Sequence, residues 1–360
     1  MISPVPRPLS LIEHTVSVIR ERLRKGEFGE SLPGELALAS ELQVGRNTIR
    51  AALSVLEAEG LLERSPGSRR KVCHSLSGSG TSDQKAAVLL TPEPIHQLSA
   101  FTLLWLDELR RRLDAVGCRF QVRVEPAAYR RSPEAILGAL VGKASTTTWI
   151  LHHSTLEMQR WFADQKVRAV VAGSSLLPQG LPCVDTDFRA TARHAAGRFR
   201  ALGHRRLALL APFKPLAGDE ASVAGFLEGA GDAEVMILRH DQSSSGIISA
   251  LRPILKLRNP PTALWVMRAT HAATALTFLL GSGISVPTRM SLICGDYEPF
   301  LDHLFPQPAC YRRSPELFAR SLAQMISRQN LCDKQGRSRE RLLMPDFKSY
   351  STLAAAPVLK

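Results

Sequence analysis

No two of the six cysteines (Cys73, Cys118, Cys183, Cys294, Cys310, Cys332) form a C-x-x-C pair. That removes the usual zinc and dithiol motifs and leaves scattered, reduced, mostly buried thiols. No apolar run approaches the roughly 20 residues a membrane helix needs, and residues 1–8 lack the apolar core of a signal peptide. No membrane partner is expected, and the cytoplasm is the expected compartment. P-loop, G-x-S-x-G and H-E-x-x-H patterns are missing, and the ten histidines show no metal-ligand spacing. Asp185 and Asp187 alternate along a strand end and are read as structural. No catalytic residue, metal or cofactor is therefore expected.

What is present is a 360-residue chain with 44% hydrophobic and 22% charged residues, the composition of a globular protein with two or three hydrophobic cores. The net charge of +13 suggests a polyanionic partner. Residues 1–75, however, hold 11 Lys/Arg and nine Asp/Glu, so 11 of the 13 surplus charges lie further on. Local placement has to decide what the charge means.

Ile12, Val16, Ile19 and Leu23 recur at helical spacing between Ser10 and Lys25, ahead of Gly26 and Gly29. Leu32-Pro33-Gly34-Glu35 reads as a second helix start, with Glu35 at the positive end of the dipole, and that helix runs to about Leu42. After a turn at Gln43–Gly45, a third helix is predicted from Arg46 to about Glu59, stopped by Gly60. On it Ile49, Ala52, Leu53 and Leu56 share one face, while Arg46, Asn47, Arg50 and Ser54 fall within an arc of about 100° on another. The first face packs; the second is free to enter a groove. Leu61–Arg64 and Arg69–Cys73 read as two strands joined by Ser65-Pro66-Gly67-Ser68, a hairpin carrying Arg69, Arg70 and Lys71. Guanidinium groups match guanine edges and an asparagine amide matches adenine, whereas a basic hairpin holds phosphates.

Over residues 32–61, LPGELALASELQVGRNTIRAALSVLEAEGL, the chain resembles the GntR family of winged helix-turn-helix regulators. The resemblance implies that Arg46, Asn47, Thr48 and Arg50 touch DNA and that Gly67 is the wing-tip glycine. Gly45 stands where the family usually has Ser or Thr, and Leu36 where it often has Arg.

Residues 75–84, SLSGSGTSDQ, have a linker's composition. The expected domains are a winged helix-turn-helix at 1–74, this linker, and a body at 85–360. In the body, short apolar runs (86–91, 120–124, 149–152, 167–172, 207–211, 235–239, 263–266, 292–294) alternate with helical patterns. That alternation implies an α/β fold with two doubly wound parallel sheets and a cleft at their carboxyl ends. Val184–Asp187, Leu202–Ala208, Ala224–Phe226, Pro260–Trp265, Gly283–Pro287 and Ser291–Asp296 together resemble the periplasmic-binding-protein-like effector domain of the LacI family.

The combination is similar to arabinose-repressor-like regulators. It implies a homodimer on an inverted-repeat operator in double-stranded DNA, acting as a repressor released by a small-molecule effector, a sugar or sugar derivative. Ser222 stands where that family has a sugar-gripping Arg, and Arg268-Ala269 where it has Asn-Asp. Arg268 and the His152-His153 pair instead suit an anionic ligand such as a sugar acid or phosphate. The candidate effector contacts are His153, Ser222, Arg268 and Asp296. Two alternatives stay open: a body that only dimerises, and a pyridoxal-phosphate aminotransferase-like body, for which Lys256 and Lys348 are poor Schiff-base lysines.

Overall fold

The computed structural model describes residues 11–24, 28, 31–58, 61–63, 70–72, 85–142, 147–177, 180–327 and 339–357. The chain divides into two compact units between Asp83 and Gln84. Among the described residues no helix is long and apolar enough to cross a membrane.

In the first unit, α1 (Leu11–Arg24), α2 (Glu35–Glu41) and α3 (Arg46–Ala58) precede a two-stranded antiparallel sheet of β1 (Leu62–Glu63) and β2 (Lys71–Val72). Val16, Ile19 and Leu23 of α1 pack on Leu38, Ile49, Leu53 and Leu56, all buried, whereas Ile12 is exposed. Each fully buried Leu or Ile contributes about 1.5–3 kcal/mol, so this small core fixes which face of α3 is left outward. Gln43 sits at φ 51° in the turn between α2 and α3, a left-handed conformation that a non-glycine residue rarely adopts. Leu32 N–H donates to the Arg70 carbonyl at 2.9 Å, tying β2 to the start of α2.

The second unit contains two six-stranded sheets. The first, in order, joins β13 (Glu340–Leu343), β7 (Cys183–Thr186), β6 (Ala169–Ala172), β5 (Thr147–His152), β3 (Ala86–Thr91) and β4 (Arg119–Val124), all parallel. The second joins β14 (Asp346–Lys348), β12 (Ala309–Arg312), β11 (Ser291–Cys294), β10 (Ala263–Val266), β8 (Arg206–Pro212) and β9 (Glu234–His240), parallel except for β14. The chain passes from the first lobe to the second after β7, returns after β12, and crosses again between β13 and β14.

Helices α4 (Ala100–Asp114), α5 (Glu134–Val141), α6 (Leu156–Asp164) and α11 (Pro315–Ser327) serve the first sheet; α7 (Phe188–Ala201), α8 (Ala217–Ala230), α9 (Ser244–Leu251) and α10 (Ala269–Gly281) serve the second. Parallel strands buried on both faces give each sheet two apolar layers. With the core of the first unit, the described residues therefore form five apolar clusters, where composition alone suggested two or three.

Helices α7 and α8 approach unusually closely because α8 presents Gly225 and Gly229 to its neighbour. A Cβ on either would overlap the carbonyl oxygen of Arg189 or Arg193 respectively.

Candidate functional site

Two constellations emerge, one in each unit. On α3, Arg46, Asn47 and Arg50 are exposed and Thr48 is half-buried, opposite the buried Ile49, Ala52, Leu53 and Leu56. The structure therefore leaves the predicted reading residues together on one open face. It also shows what orients them. Glu35, at the first position of α2, lies 3.5 Å from Arg46 Nε, 3.4 Å from an Arg50 terminal nitrogen and 3.1 Å from Arg70 Nη1. Burial alone would raise the Glu35 carboxyl, but the Arg70 hydrogen bond and the surrounding guanidinium charges outweigh it and hold it below the ordinary carboxylate range. The sequence showed Glu35 only as a helix-dipole residue; that it gathers three arginines depends on folding.

Lys71 is exposed on the return strand of the hairpin. Arg70, expected among the DNA contacts, is placed differently: its side chain is 14% exposed and its guanidinium is held between Glu35 and Glu57. There it braces the hairpin against α2 and α3. Arg70→Ala should consequently destabilise the first unit by about 1–3 kcal/mol, because two half-buried carboxylates lose their donor. Hydrogen exchange of amides in α2 and α3 in the full chain would detect the loss, and unchanged protection would refute the bracing role. Gly67 and Arg69, and the linker at 75–84, lie outside the described residues.

The second constellation lies at the carboxyl ends of the strands of the second unit, where open α/β sheets take ligands. At the end of β5, His152 is buried, its Nδ1 3.3 Å from Thr91 Oγ1, and the Tyr129 hydroxyl donates to the carbonyls of Leu90 and His152 at 2.8 Å. His153 follows at φ 53° and stacks on His152 with ring centroids 3.9 Å apart. Burial, with a smaller contribution from His153, pushes His152 down to about 3. Nearby, Gln159 donates to Ser154 Oγ and the Ser174 carbonyl at 3.0 Å, and Ser174 Oγ donates to Asp185 at 2.6 Å. Burial keeps the Asp185 carboxyl above its usual range despite that bond.

On the second lobe, Arg268 donates to Asp219 at 2.9 Å, and Asp219 also accepts the Leu216 N–H at 3.0 Å, fixing the start of α8. Ser222 is buried one turn further along α8. His240 and His271 are buried edge-to-face with centroids 4.8 Å apart, and burial, His240 and Arg268 together push His271 down to about 4. Asp296 pairs with Arg313 at 2.8 Å, and the Arg313 guanidinium lies 4.0 Å from the centre of the Phe101 ring, so it touches both lobes where the chain crosses between them.

Of the four candidate effector contacts, Arg268 is thus paired with Asp219 and Ser222 lies one turn further along the same helix, whereas His153 stands on the other lobe and Asp296 beside the crossing. Sequence reasoning missed Asp219, His240, His271 and Arg313. Asp219 had only a weak local signal, as an acidic residue in the first turn of α8; the others had none. The four described cysteines, Cys118, Cys183, Cys294 and Cys310, are all buried and free. Among the described residues no group of three or more His, Cys, Asp or Glu could hold a metal ion. The aminotransferase-like alternative does not describe this body: Lys256 is exposed in a short 3-10 helix and Lys348 is exposed on the edge strand β14.

These two parts define a helix-turn-helix domain fused to a two-lobed binding domain. Residues 11–72 match the family of bacterial regulatory proteins, gntR family, and residues 196–348 match the periplasmic binding protein-like domain. The chain therefore carries a gntR-family helix-turn-helix at its N-terminus and a periplasmic-binding-protein-like domain after it.

It is similar to the HTH-type transcriptional repressor NanR of Klebsiella aerogenes, 38% identical over 71 residues, which is 18% of this chain. The chain spans 27% of the length of that relative. The fold of the second unit is that of a LacI-family regulatory protein from Chloroflexus aggregans (TM-score 0.65, 19% identity, 75% of this chain and 99% of that one). It is likewise similar to a LacI-type putative regulator from Bacillus cereus (TM-score 0.62, 16% identity, covering 76% and 99%) and a LacI-family regulator from Enterococcus faecium with bound ribose (TM-score 0.59, 17%, 75% and 99%).

Proposed function

We propose that this protein is a cytoplasmic, sequence-specific transcriptional regulator, a homodimeric repressor whose paired helix-turn-helix domains read an inverted-repeat operator and whose cleft binds a small-molecule effector. The observation that carries this reading is the outward face of α3, where Arg46, Asn47 and Arg50 project from a helix anchored by four buried apolar residues. Arginine and asparagine at the start of a helix suit base edges in a major groove, while Lys71 on the hairpin suits a neighbouring phosphate. Two-fold protein symmetry calls for two-fold operator symmetry.

For the effector, a sugar or sugar derivative suits the neighbouring fold that holds ribose. The suggestion of an anionic ligand is weakened by the ion pairs, since Arg268 and Arg313 are already bound to Asp219 and Asp296. An incoming acid or phosphate would compete with an internal carboxylate at either guanidinium. The same two pairs favour a second reading in which the body serves dimerisation alone. Coupling of about 1–3 kcal/mol between cleft and reader would change operator affinity about 5- to 150-fold.

Selection of genomic fragments on the full-length protein should enrich an inverted repeat, and retention of none above background would overturn the regulator reading. Calorimetry of the same protein against neutral sugars and sugar acids then separates the sensor from the platform. A neutral sugar should give a specific heat of binding, unchanged between about pH 6 and 8 as far as His152 and His271 are concerned, because burial pushes them down to about 3 and about 4 and leaves them uncharged there. Heat from none of them would leave the platform reading.

A further inference from the structure

The first sheet of the second unit reverses its strand order between β3 and β5. From β3 the chain moves outward to β4 on one side, then returns past β3 to lay down β5, β6 and β7 in turn on the other. The helix that leaves β3, α4, packs on one face of the sheet and the helix that leaves β5, α6, on the opposite face. Two connections that diverge in this way open a crevice beyond the carboxyl ends of their strands, the place where sheets of this kind hold ligands.

The crevice is floored by two histidines. Thr91 ends β3 and His152 ends β5, with Oγ1 and Nδ1 3.3 Å apart across the gap. The ring of His153 lies on that of His152, 3.9 Å between centroids and 23° between planes. In an extended strand successive side chains point to opposite faces, so neighbouring rings do not stack; the left-handed backbone at His153, φ 53°, turns the second ring over the first. The inner ring is fixed from behind. His152 lies 6.1 Å from the buried Trp105, Trp105 5.3 Å from Phe318, and Phe318 5.5 Å from Phe101. The outer ring is open, since the His153 side chain is 57% exposed although His152 covers one of its faces.

The next residue supplies a polar margin. Ser154 Oγ accepts a hydrogen bond from the Gln159 amide, which also donates to the Ser174 carbonyl and, through its oxygen, accepts the Leu176 N–H at 2.8 Å. That network fixes the Ser154 oxygen as an acceptor from inside the protein and leaves its own O–H free to donate. An open, flat imidazole with a donor beside it matches a flat ring with acceptors around its edge. Heteroaromatic bases have both features and stack on histidine, whereas a puckered sugar ring meets a planar surface over less of its area. The Glu93 carboxylate, 3.9 Å from His153 Nδ1, places negative charge beside the same surface and disfavours a phosphate there.

We propose that His152 and His153 form a stacking platform for the base of an uncharged nucleoside-like effector, with Ser154 donating to the edge of that base. It rests on the reading of the cleft as an effector site and names the kind of sugar derivative the cleft takes.

Calorimetry of the full-length protein against adenosine, guanosine, cytidine, uridine, their 5′-monophosphates and free ribose tests it. At least one nucleoside should bind about 10-fold or more tightly than ribose and than its own monophosphate, because stacking adds to whatever the sugar contributes. His153→Asn keeps a side chain that tolerates the left-handed backbone but removes the ring, and should weaken that nucleoside about 5- to 150-fold. His153→Phe restores a ring and should stay within about fivefold of wild type. Ribose bound as tightly as every nucleoside would overturn the platform and leave a sugar effector standing. A phenylalanine variant as weak as the asparagine one would also overturn it, since the ring would not be what is recognised. A monophosphate preferred over its nucleoside would overturn the uncharged class. If the asparagine variant did not fold, the wild-type comparison of nucleoside with ribose would still decide. Heat from no nucleoside, monophosphate or sugar would remove the effector reading together with this one.

Discussion

Arg46→Ala combined with Arg50→Ala is expected to weaken binding to a selected operator by about 30-fold or more, the equivalent of about 2 kcal/mol, with a much smaller loss on random-sequence duplex. Each arginine that grips a base edge is worth about 1–3 kcal/mol of discrimination. The single losses should not sum, because both guanidinium groups approach the same Glu35 carboxylate at 3.5 and 3.4 Å. Removing one arginine lets Glu35 and the other readjust. Fluorescence anisotropy on matched operator and random duplexes measures both quantities. Equal losses on the two would show that the arginines hold phosphates and read nothing.

Gly225→Val should lower the stability of the second unit by about 3 kcal/mol or more, a fall in Tm of roughly 6–12 °C. The first side-chain carbon would meet the Arg189 carbonyl oxygen. That is backbone on the adjacent helix, so it cannot rotate away, and α7 and α8 would have to separate. Gly138 in α5 supplies the contrast, since nothing lies within 4 Å of a Cβ built there. Gly138→Ala should stabilise by about 0.5–1 kcal/mol through helix propensity. Calorimetric melting of the two variants would show opposite signs. A Gly225→Val protein that melted with the wild type would mean that the helix pair is not so tightly packed.

Local periodicity made much of this fold readable. The stripe Val16, Ile19, Leu23 and the opposed faces of α3 follow from a repeat of 3.6 residues, and these residues are buried or exposed as that repeat requires. Central strands such as Ala263–Val266 read as continuous apolar runs because both their faces are covered. Elements without such a repeat escaped. The start of α8 at Ala217 carries no such pattern, because Ala217–Ser222 mixes small and acidic residues and is fixed by the Asp219 cap. The chain after Cys294 concealed β12, α11, β13 and β14. β13 and β14 are short edge strands, and β13 is paired with β7, about 160 residues earlier in the chain.

The candidate sites divide in the same way. Which face of α3 points outward, and that it carries Arg46, Asn47 and Arg50, was determined by the sequence alone, because helix geometry and apolar burial act over a few neighbouring residues. That Arg70 braces the hairpin, that Arg268 is bound to Asp219, and that Arg313 joins Asp296 to Phe101 was decided only by tertiary structure. An ion pair depends on where two side chains meet after the backbone has folded, and partners 17 to 49 residues apart share no local pattern that announces them.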